Sequence, residues 1–137
     1  MAGNVFSSFS ISSSGLTAQR KRLEYIAGNI ANVGTTRTQE GGPYKRVAAS
    51  LSARVNPDTG TVEGVEIGEP LVDSSAPRMV FDPGHPDADT EGFVAYPNVD
   101  IVREMVDMVQ AVRAYEANVE ALNSAKSMML RALDIAK

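Results

Sequence analysis

The last forty residues, 98–137, constrain the fold more than any other stretch. Met105, Val112, Val119, Lys126 and Leu133 form one series of sevens, and Ile101, Met108, Tyr115, Leu122, Met129 and Ala136 form another. Together they step by four and three, a heptad seam interrupted only at Lys126. Pro97 ends whatever precedes it, Asn98 offers a cap, and Asp100 places a negative charge in the first turn. No proline or glycine follows. At 1.5 Å per residue such a helix is roughly 58 Å long. A compact domain of 137 residues would be roughly 36 Å across, so the helix projects beyond any globule the chain can build.

Each large apolar side chain left in water forgoes about 1.5–3 kcal/mol, so the seam calls for a partner helix. Val102, Val106 and Val109 lie beside it, which makes the stretch from Ile101 to Val112 apolar around much of its circumference. One partner would not cover it. An aliphatic stripe usually marks an ordinary core helix, but the length fits that reading poorly. Lys126 admits three readings: snorkelling, pairing with an acid, or fixing register.

A second seam lies at the other end, where Phe9, Leu16, Leu23 and Ile30 fall seven apart and Ile26 and Val33 follow two of them by three. Ser12, Ser13, Ser14 and Gly15 are poor helix formers, so helix before Leu16 has to be enforced by packing. Gly34 is the expected stop. Matching seams at opposite ends predict a mainly α fold with a β insertion, in which antiparallel N- and C-terminal helices form a coiled coil. Residues 1–34 supply its first helix, 98–137 its second, and 35–97 a β- and loop-rich outer segment. That middle segment holds all seven prolines. Strands are expected at Tyr44–Val55, Val62–Ile67, Arg78–Phe81 and Phe93–Tyr96, with turns at Gly41–Pro43 and Asn56–Gly60. They make a small twisted sheet or hairpin rather than an independent domain.

Composition narrows the function. Hydrophobic residues make up 43% of the chain, enough for one core, while cysteine is absent, which removes disulfides and thiolate metal sites. No apolar run approaches the ~20 residues of a membrane span. Residues 1–15 lack a charged lead and a continuous apolar core, so no cleaved secretory signal is expected. The net charge of −4 is uneven: residues 1–54 carry seven bases and two acids, residues 55–98 one base and nine acids. A basic front and an acidic middle suit head-to-tail attraction between copies, although charge runs are more often solvated faces. The one dense basic spot, Arg20 to Arg22, lacks interleaved aromatics, which argues against nucleic acid as a partner.

Only one constellation suggests chemistry. In the loop Asp82–Gly92, His85, Asp87, Asp89 and Glu91 alternate with small or neutral residues, which invites comparison with a hard-cation site or a His base. The spacing matches no calcium loop and no nucleophile pairs with His85. With two prolines and two glycines this is a stiff turn, and Asp82, Pro83, Gly84, His85, Pro86 and Asp87 are assigned to an interface loop. No catalytic residue, metal or cofactor is assigned.

The residues also carry a family resemblance. The string NIANVGTT at Asn29–Thr36 resembles the N-terminal signature of the flagellar rod and hook axial proteins. EGGPYKR at Glu40–Arg46, DPGHPDADTEGFVAYPNVD at Asp82–Asp100 and EMVDMVQAVRAYEANVEALNSAKSM at Glu104–Met128 resemble its proximal-rod branch, and the likeness spans nearly the whole chain. The resemblance implies a structural subunit exported unfolded through the flagellar type III apparatus, without a cleaved signal peptide, and folded at the growing tip in the periplasm. It implies a tube of packed terminal helices around the export channel, with further copies, other rod proteins, and the basal-body membrane ring with its adaptor as partners. Asn29, Ile30, Ala31, Asn32, Thr35 and Thr36 fall on the N-terminal signature, and Arg113, Ala114, Tyr115, Glu116, Ala117 and Asn118 on the C-terminal one. The run SFSISSSG is more serine-rich than the family's first helix.

Helix or subunit packing is therefore assigned to Leu16, Leu23, Ile26, Asn29, Ile30 and Asn32 at one end. At the other it falls to Ile101, Met105, Met108, Val112, Tyr115, Val119, Leu122, Met129 and Leu133. An axial structural subunit is the leading reading. A coiled-coil adaptor forming a closed oligomer with a soluble partner, and a small metal-dependent hydrolase centred on His85, are the competitors. Seams underburied in a lone molecule predict helices that are marginal until neighbours complete them.

Overall fold

The computed structural model describes residues 2–136; Met1 and Lys137, the outermost residues of the two expected terminal segments, lie outside the described residues. Two helices bracket a middle of short antiparallel strands. In chain order these are α1 (Ala2–Ala31), β1 (Val47–Ala48), β2 (Leu51–Val55), β3 (Val62–Ile67), β4 (Leu71–Val72), β5 (Arg78–Phe81), β6 (Phe93–Tyr96) and α2 (Ile101–Ile135). The expected mainly helical fold with a β insertion is the one adopted.

Helix α1 runs straight through Ser12–Gly15, and the reason is packing. Ser14 Oγ donates to the Ile11 carbonyl at 2.7 Å and accepts from the Val65 amide of β3 at 2.9 Å. A helical serine, normally a competitor for the backbone, here joins the helix to the insertion. Gly15 faces Asn118 of α2, and a Cβ there would lie 2.8 Å from Asn118 Nδ2. The helix stops at Ala31, earlier than the Gly34 signal, because Asn32 turns its Nδ2 back onto the Gly28 carbonyl at 2.8 Å. Gly34 has no left-handed φ.

The other helix also starts differently from expectation. Its cap is Asp100, whose carboxylate accepts from the amides of Val102 and Arg103, while Asn98 donates to Ser75 Oγ at 2.7 Å. Asp100 thus supplies both the cap and the favourable charge at the positive end of the helix dipole.

Three two-stranded ladders fill the middle: β1 with β4, β2 with β3, β5 with β6. The strand expected over Tyr44–Val55 is divided into β1 and β2, because each pairs with a different partner, and β4 at Leu71–Val72 was not expected. The β2–β3 turn is built by Asn56, whose Oδ1 accepts from the amide of Asp58 at 2.9 Å, and by Gly60 at φ 67°. The buried apolar set among the described residues is small: three alanines, Ala18, Ala111 and Ala125, with Ile26 and Val94.

Candidate assembly interface

Opposite sides of α2 differ in kind. Glu104, Ala111 and Ala125 are buried, and with Asn118 they form a row of sevens that begins one residue before the Met105 series. This row meets α1 at Asn29 with Glu104 and at Gly15 with Asn118, and Arg22 pairs with Asp107 beside it. On α1 the corresponding buried positions are Ser12, Gly15, Ala18, Ile26 and Asn29. Small and polar residues, with Ile26 the one large apolar exception, therefore make up the fully buried part of the contact between the helices.

Its strongest point is a polar junction. Asn29 is 1% exposed, and its amide is fully used: Nδ2 donates to Glu104 Oε2 at 3.0 Å and to the Val47 carbonyl at 2.8 Å. Its Oδ1 accepts from Tyr44 Oη at 3.0 Å and from the Val47 amide at 2.9 Å. Glu104, 0% exposed, takes Arg46 Nε on its other oxygen at 2.5 Å. Arg46 also lies 3.7 Å from Asp107, which Arg22 approaches from α1 at the same distance. One end of each helix is thereby fastened to β1. Burial, with Glu104 close by, pushes the Tyr44 phenol above its usual pKa. Neither Glu104 nor Arg46 was singled out from sequence for this role. The signal available was an acid spaced by sevens with Ala111, Asn118 and Ala125.

The large apolar seam residues lie elsewhere. Met108, Leu122 and Met129 are half-buried, whereas Ile101, Met105, Val112, Tyr115, Val119 and Leu133 are exposed, Met105 by 56% and Leu133 by 63%. Val102, at 71%, is more open still. Val102, Met105, Val106, Val109, Gln110 and Arg113 line a shallow, open depression on this face. On α1, Ile26 and Asn29 are buried and Leu16, Leu23 and Ile30 half-buried, as is Asn32 in the turn that follows. The chain exposes 9410 Å², against about 6,900 Å² for a compact monomer of 14.6 kDa. An excess of about 2,500 Å² exceeds the ~800 Å² per partner that a standard interface covers.

In the Asp82–Gly92 loop, Asp82, Pro83, Gly84 and Pro86 are exposed, and His85 and Asp87 are half-buried. The loop closes the β5–β6 hairpin through the Asp82 amide on the Gly92 carbonyl at 2.9 Å. His85 Nδ1 accepts from the Asp87 amide at 3.0 Å, and its ring meets Tyr96 edge-on. Asp87 accepts from Thr36 Oγ1 at 2.7 Å and forms an ion pair with Arg37, so the loop is tied to the segment leaving α1. The Thr36 hydrogen bond, with Arg37 adding to it, holds the Asp87 carboxyl below its ordinary pKa. Among the described residues no three His, Cys, Asp or Glu side chains are grouped to hold a metal ion. No described helix is long and apolar enough to cross a membrane.

Comparison with known proteins accounts for a helix that leaves so much apolar surface exposed. Residues 9–38 match the family described as "Flagella basal body rod protein", and residues 90–135 match "Flagellar basal body rod FlgEFG protein C-terminal". The flagellar basal-body rod protein FlgC of Borreliella burgdorferi is 45% identical, covering 96% of this chain and 97% of the relative. That of Bacillus subtilis is 40% identical, over 96% and 98%, and that of Escherichia coli O6:H1 is 44% identical, over 93% and 94%. These are structural proteins of the flagellar rod and not enzymes. The chain belongs to the FlgC family of flagellar basal-body rod proteins and is a structural subunit of that rod.

Proposed function

We propose that the chain polymerises by helix packing into a tubular part of the proximal rod, where it transmits torque and encloses the export channel. The exposed apolar face of α2 carries this reading: Val102, Met105, Val106 and Val109 are each more than half exposed, on a helix about 52 Å long. A patch of that kind marks a surface meant for other chains. In the tube, residues 1–34 and 98–137 form an antiparallel coiled-coil core and residues 35–97 the outer segment. The pairings of Gly15, Arg22 and Asn29 with Asn118, Asp107 and Glu104 support the antiparallel course, since numbers rise on one helix as they fall on the other.

The half-buried residues Leu16, Leu23, Ile30, Met108, Leu122 and Met129 close the seam when neighbours arrive. Ile101, Met105, Val112, Tyr115, Val119 and Leu133 meet those neighbours directly, and Asp82–Asp87 form an outer contact. The partners are further copies and other rod proteins, with the basal-body membrane ring and its adaptor below. The subunit reaches its periplasmic position through the flagellar type III export apparatus, unfolded and without a cleaved signal peptide. Thin burial between the helices suits such a route, because a helix pair held by alanines and one polar junction needs little energy to open.

Sedimentation of the purified chain across a concentration series tests the reading. A rod subunit gives open polymers that lengthen with concentration, or binds other rod proteins, and its helix content by circular dichroism rises on assembly. A closed oligomer of fixed size would favour the adaptor reading. A monomer that is fully helical and melts cooperatively at low concentration would remove the need for neighbours.

A further inference from the structure

The β2–β3 hairpin leaves much of its apolar surface uncovered: Leu51, Ala53, Val55 and Val62 are exposed, while Val65 and Ile67 are half-buried. Its cross-strand pairs include Leu51 with Ile67, Ala53 with Val65 and Val55 with Val62. Alternation places Leu51, Ala53 and Val55 on one face of β2 and Arg54 on the other. Gly64, the partner of Arg54, is the residue that approaches α1: a Cβ there would lie 2.5 Å from Ser14 Oγ. The hairpin therefore meets α1 through Gly64 and the neighbouring Val65 amide, which donates to Ser14 Oγ. All of β2 is exposed, Val55 by 48%, as is Val62 by 52%, and its outer edge pairs with no described strand.

A two-stranded hairpin is marginal in water unless something packs on its apolar face, and a helix serves. Three exposed apolar helical patches are found among the described residues: the start of α1 with Phe6 and Phe9, the Ile101–Arg113 part of α2, and its far end with Met128, Leu130, Leu133 and Ile135. The second forms an apolar-lined depression, and charge favours it over the first. From residue 51 to residue 69 the hairpin carries Asp58, Glu63, Glu66 and Glu69 against Arg54 alone, none of them in a salt bridge. Residues 1–15 carry no charged side chain. On α2, Glu104 and Asp107 are already engaged by Arg46 and Arg22, so the side chains left to meet an acidic visitor are Arg103 and Arg113.

We propose that the apolar face of the β2–β3 hairpin of one copy packs on the Val102–Val109 depression of α2 in the next copy, with Arg103 and Arg113 meeting hairpin carboxylates. The two surfaces differ, so the contact is heterologous and repeats from copy to copy without a two-fold axis. It rests on the polymerising-subunit reading only in requiring that copies meet.

The absence of cysteine makes the test clean. Val55→Cys and Val109→Cys are prepared separately in the full chain, both at exposed positions, and treated with a short bismaleimide under conditions checked by sedimentation. The mixture should give a dimer band while each variant alone gives none. Adding Arg103→Glu and Arg113→Glu to the Val109→Cys chain should lower its yield about tenfold, and Glu63→Arg with Glu69→Arg in the other chain should restore it. Polymers that sediment without the mixed band would overturn this contact and leave the subunit reading standing. Cross-linking of either variant alone would overturn the heterologous geometry. Failure to assemble at any concentration would overturn both.

Discussion

The side of α2 that faces α1 and the side that faces outward are built from opposite materials. Inward lie Glu104, Ala111, Asn118 and Ala125, small or polar and mostly buried; outward lie Val102, Met105, Val106, Val109 and Val112, apolar and wet. In an ordinary amphipathic helix the large apolar side chains would fill the core. Here the molecule holds itself together with alanines and a hydrogen-bonded junction and keeps its best burial for others. Cohesion within one copy and adhesion between copies thus rest on separate residues, which substitutions can separate.

The largest effect is expected at the junction. Glu104→Ala leaves Arg46 and Asn29 Nδ2 without their shared acceptor, and removing one member of a buried pair costs about 3 kcal/mol. Denaturant unfolding of the purified chain should show this as a lower midpoint, with assembly lost as a consequence. Glu104→Gln keeps the shape and one acceptor but turns its NH2 toward the other donor, so it should recover only part of the loss. A Glu104→Ala chain as stable as the parent would mean that the inward side is not what holds the copy together.

Neighbouring residues on the two sides give the sharpest contrast. Ala111 is 0% exposed and Val112 is 39% exposed. Ala111→Leu overfills the contact with α1 and should destabilise the single copy by about 1–3 kcal/mol. Val112→Asp should shift the unfolding midpoint by no more than about 0.5 kcal/mol, since it adds a charge to an exposed position, yet it should abolish polymers in sedimentation. If both variants failed in the same assay and to the same degree, the division of labour between the sides would be wrong.

The same division explains what could be read from residue order. Periodicity located both helices, and short alternating apolar runs located β3, β5 and β6 at their observed bounds, because those signals are local. The heptad count also found the wet stripe, since large side chains dominate any such count. It passed over Glu104, Ala111, Asn118 and Ala125, which sit one residue earlier and are small or polar. Close approach of two helices selects for absent side-chain volume, and absence leaves a faint signal. The junction was harder still, because Asn29, Tyr44, Arg46 and Glu104 are brought together by tertiary contacts across 75 residues of chain. Tyr44–Val55 divided into two strands for a similar reason: β4, only Leu71–Val72, is too short to announce itself. Ser12–Gly15 reads as a helix breaker until Gly64 and Asn118 are seen beside it.

A smaller effect is expected at Gly92, in the segment that contributes to neither side of α2. Its φ of 85° suits glycine, and a Cβ would lie 2.9 Å from Phe81 Cε2. Gly92→Ala should therefore cost about 1–2 kcal/mol, felt as faster amide exchange in β5 and β6, while the helix junction keeps its protection. Loss of protection at Glu104 as well would show that hairpin and junction open as one unit.

The smallest effect concerns pH. Asp87 has its pKa depressed in the fold by Thr36 and then Arg37. A depressed carboxyl contributes stability that is complete above its unfolded pKa of about 3.9 and disappears as pH falls through the lower folded value. The tie between the loop and the segment after α1 should hold unchanged from neutral pH down to about pH 5 and weaken only below about pH 4. Asp87→Asn should remove that acid-side dependence and leave neutral stability nearly unaltered, because Arg37 is largely exposed and an exposed ion pair is worth little. Chemical shifts of Thr36 and Ala88 followed from pH 7 to pH 3 would report it directly. A transition centred near neutral pH at these residues would mean that the Asp87 carboxylate is not what ties the loop to the segment after α1.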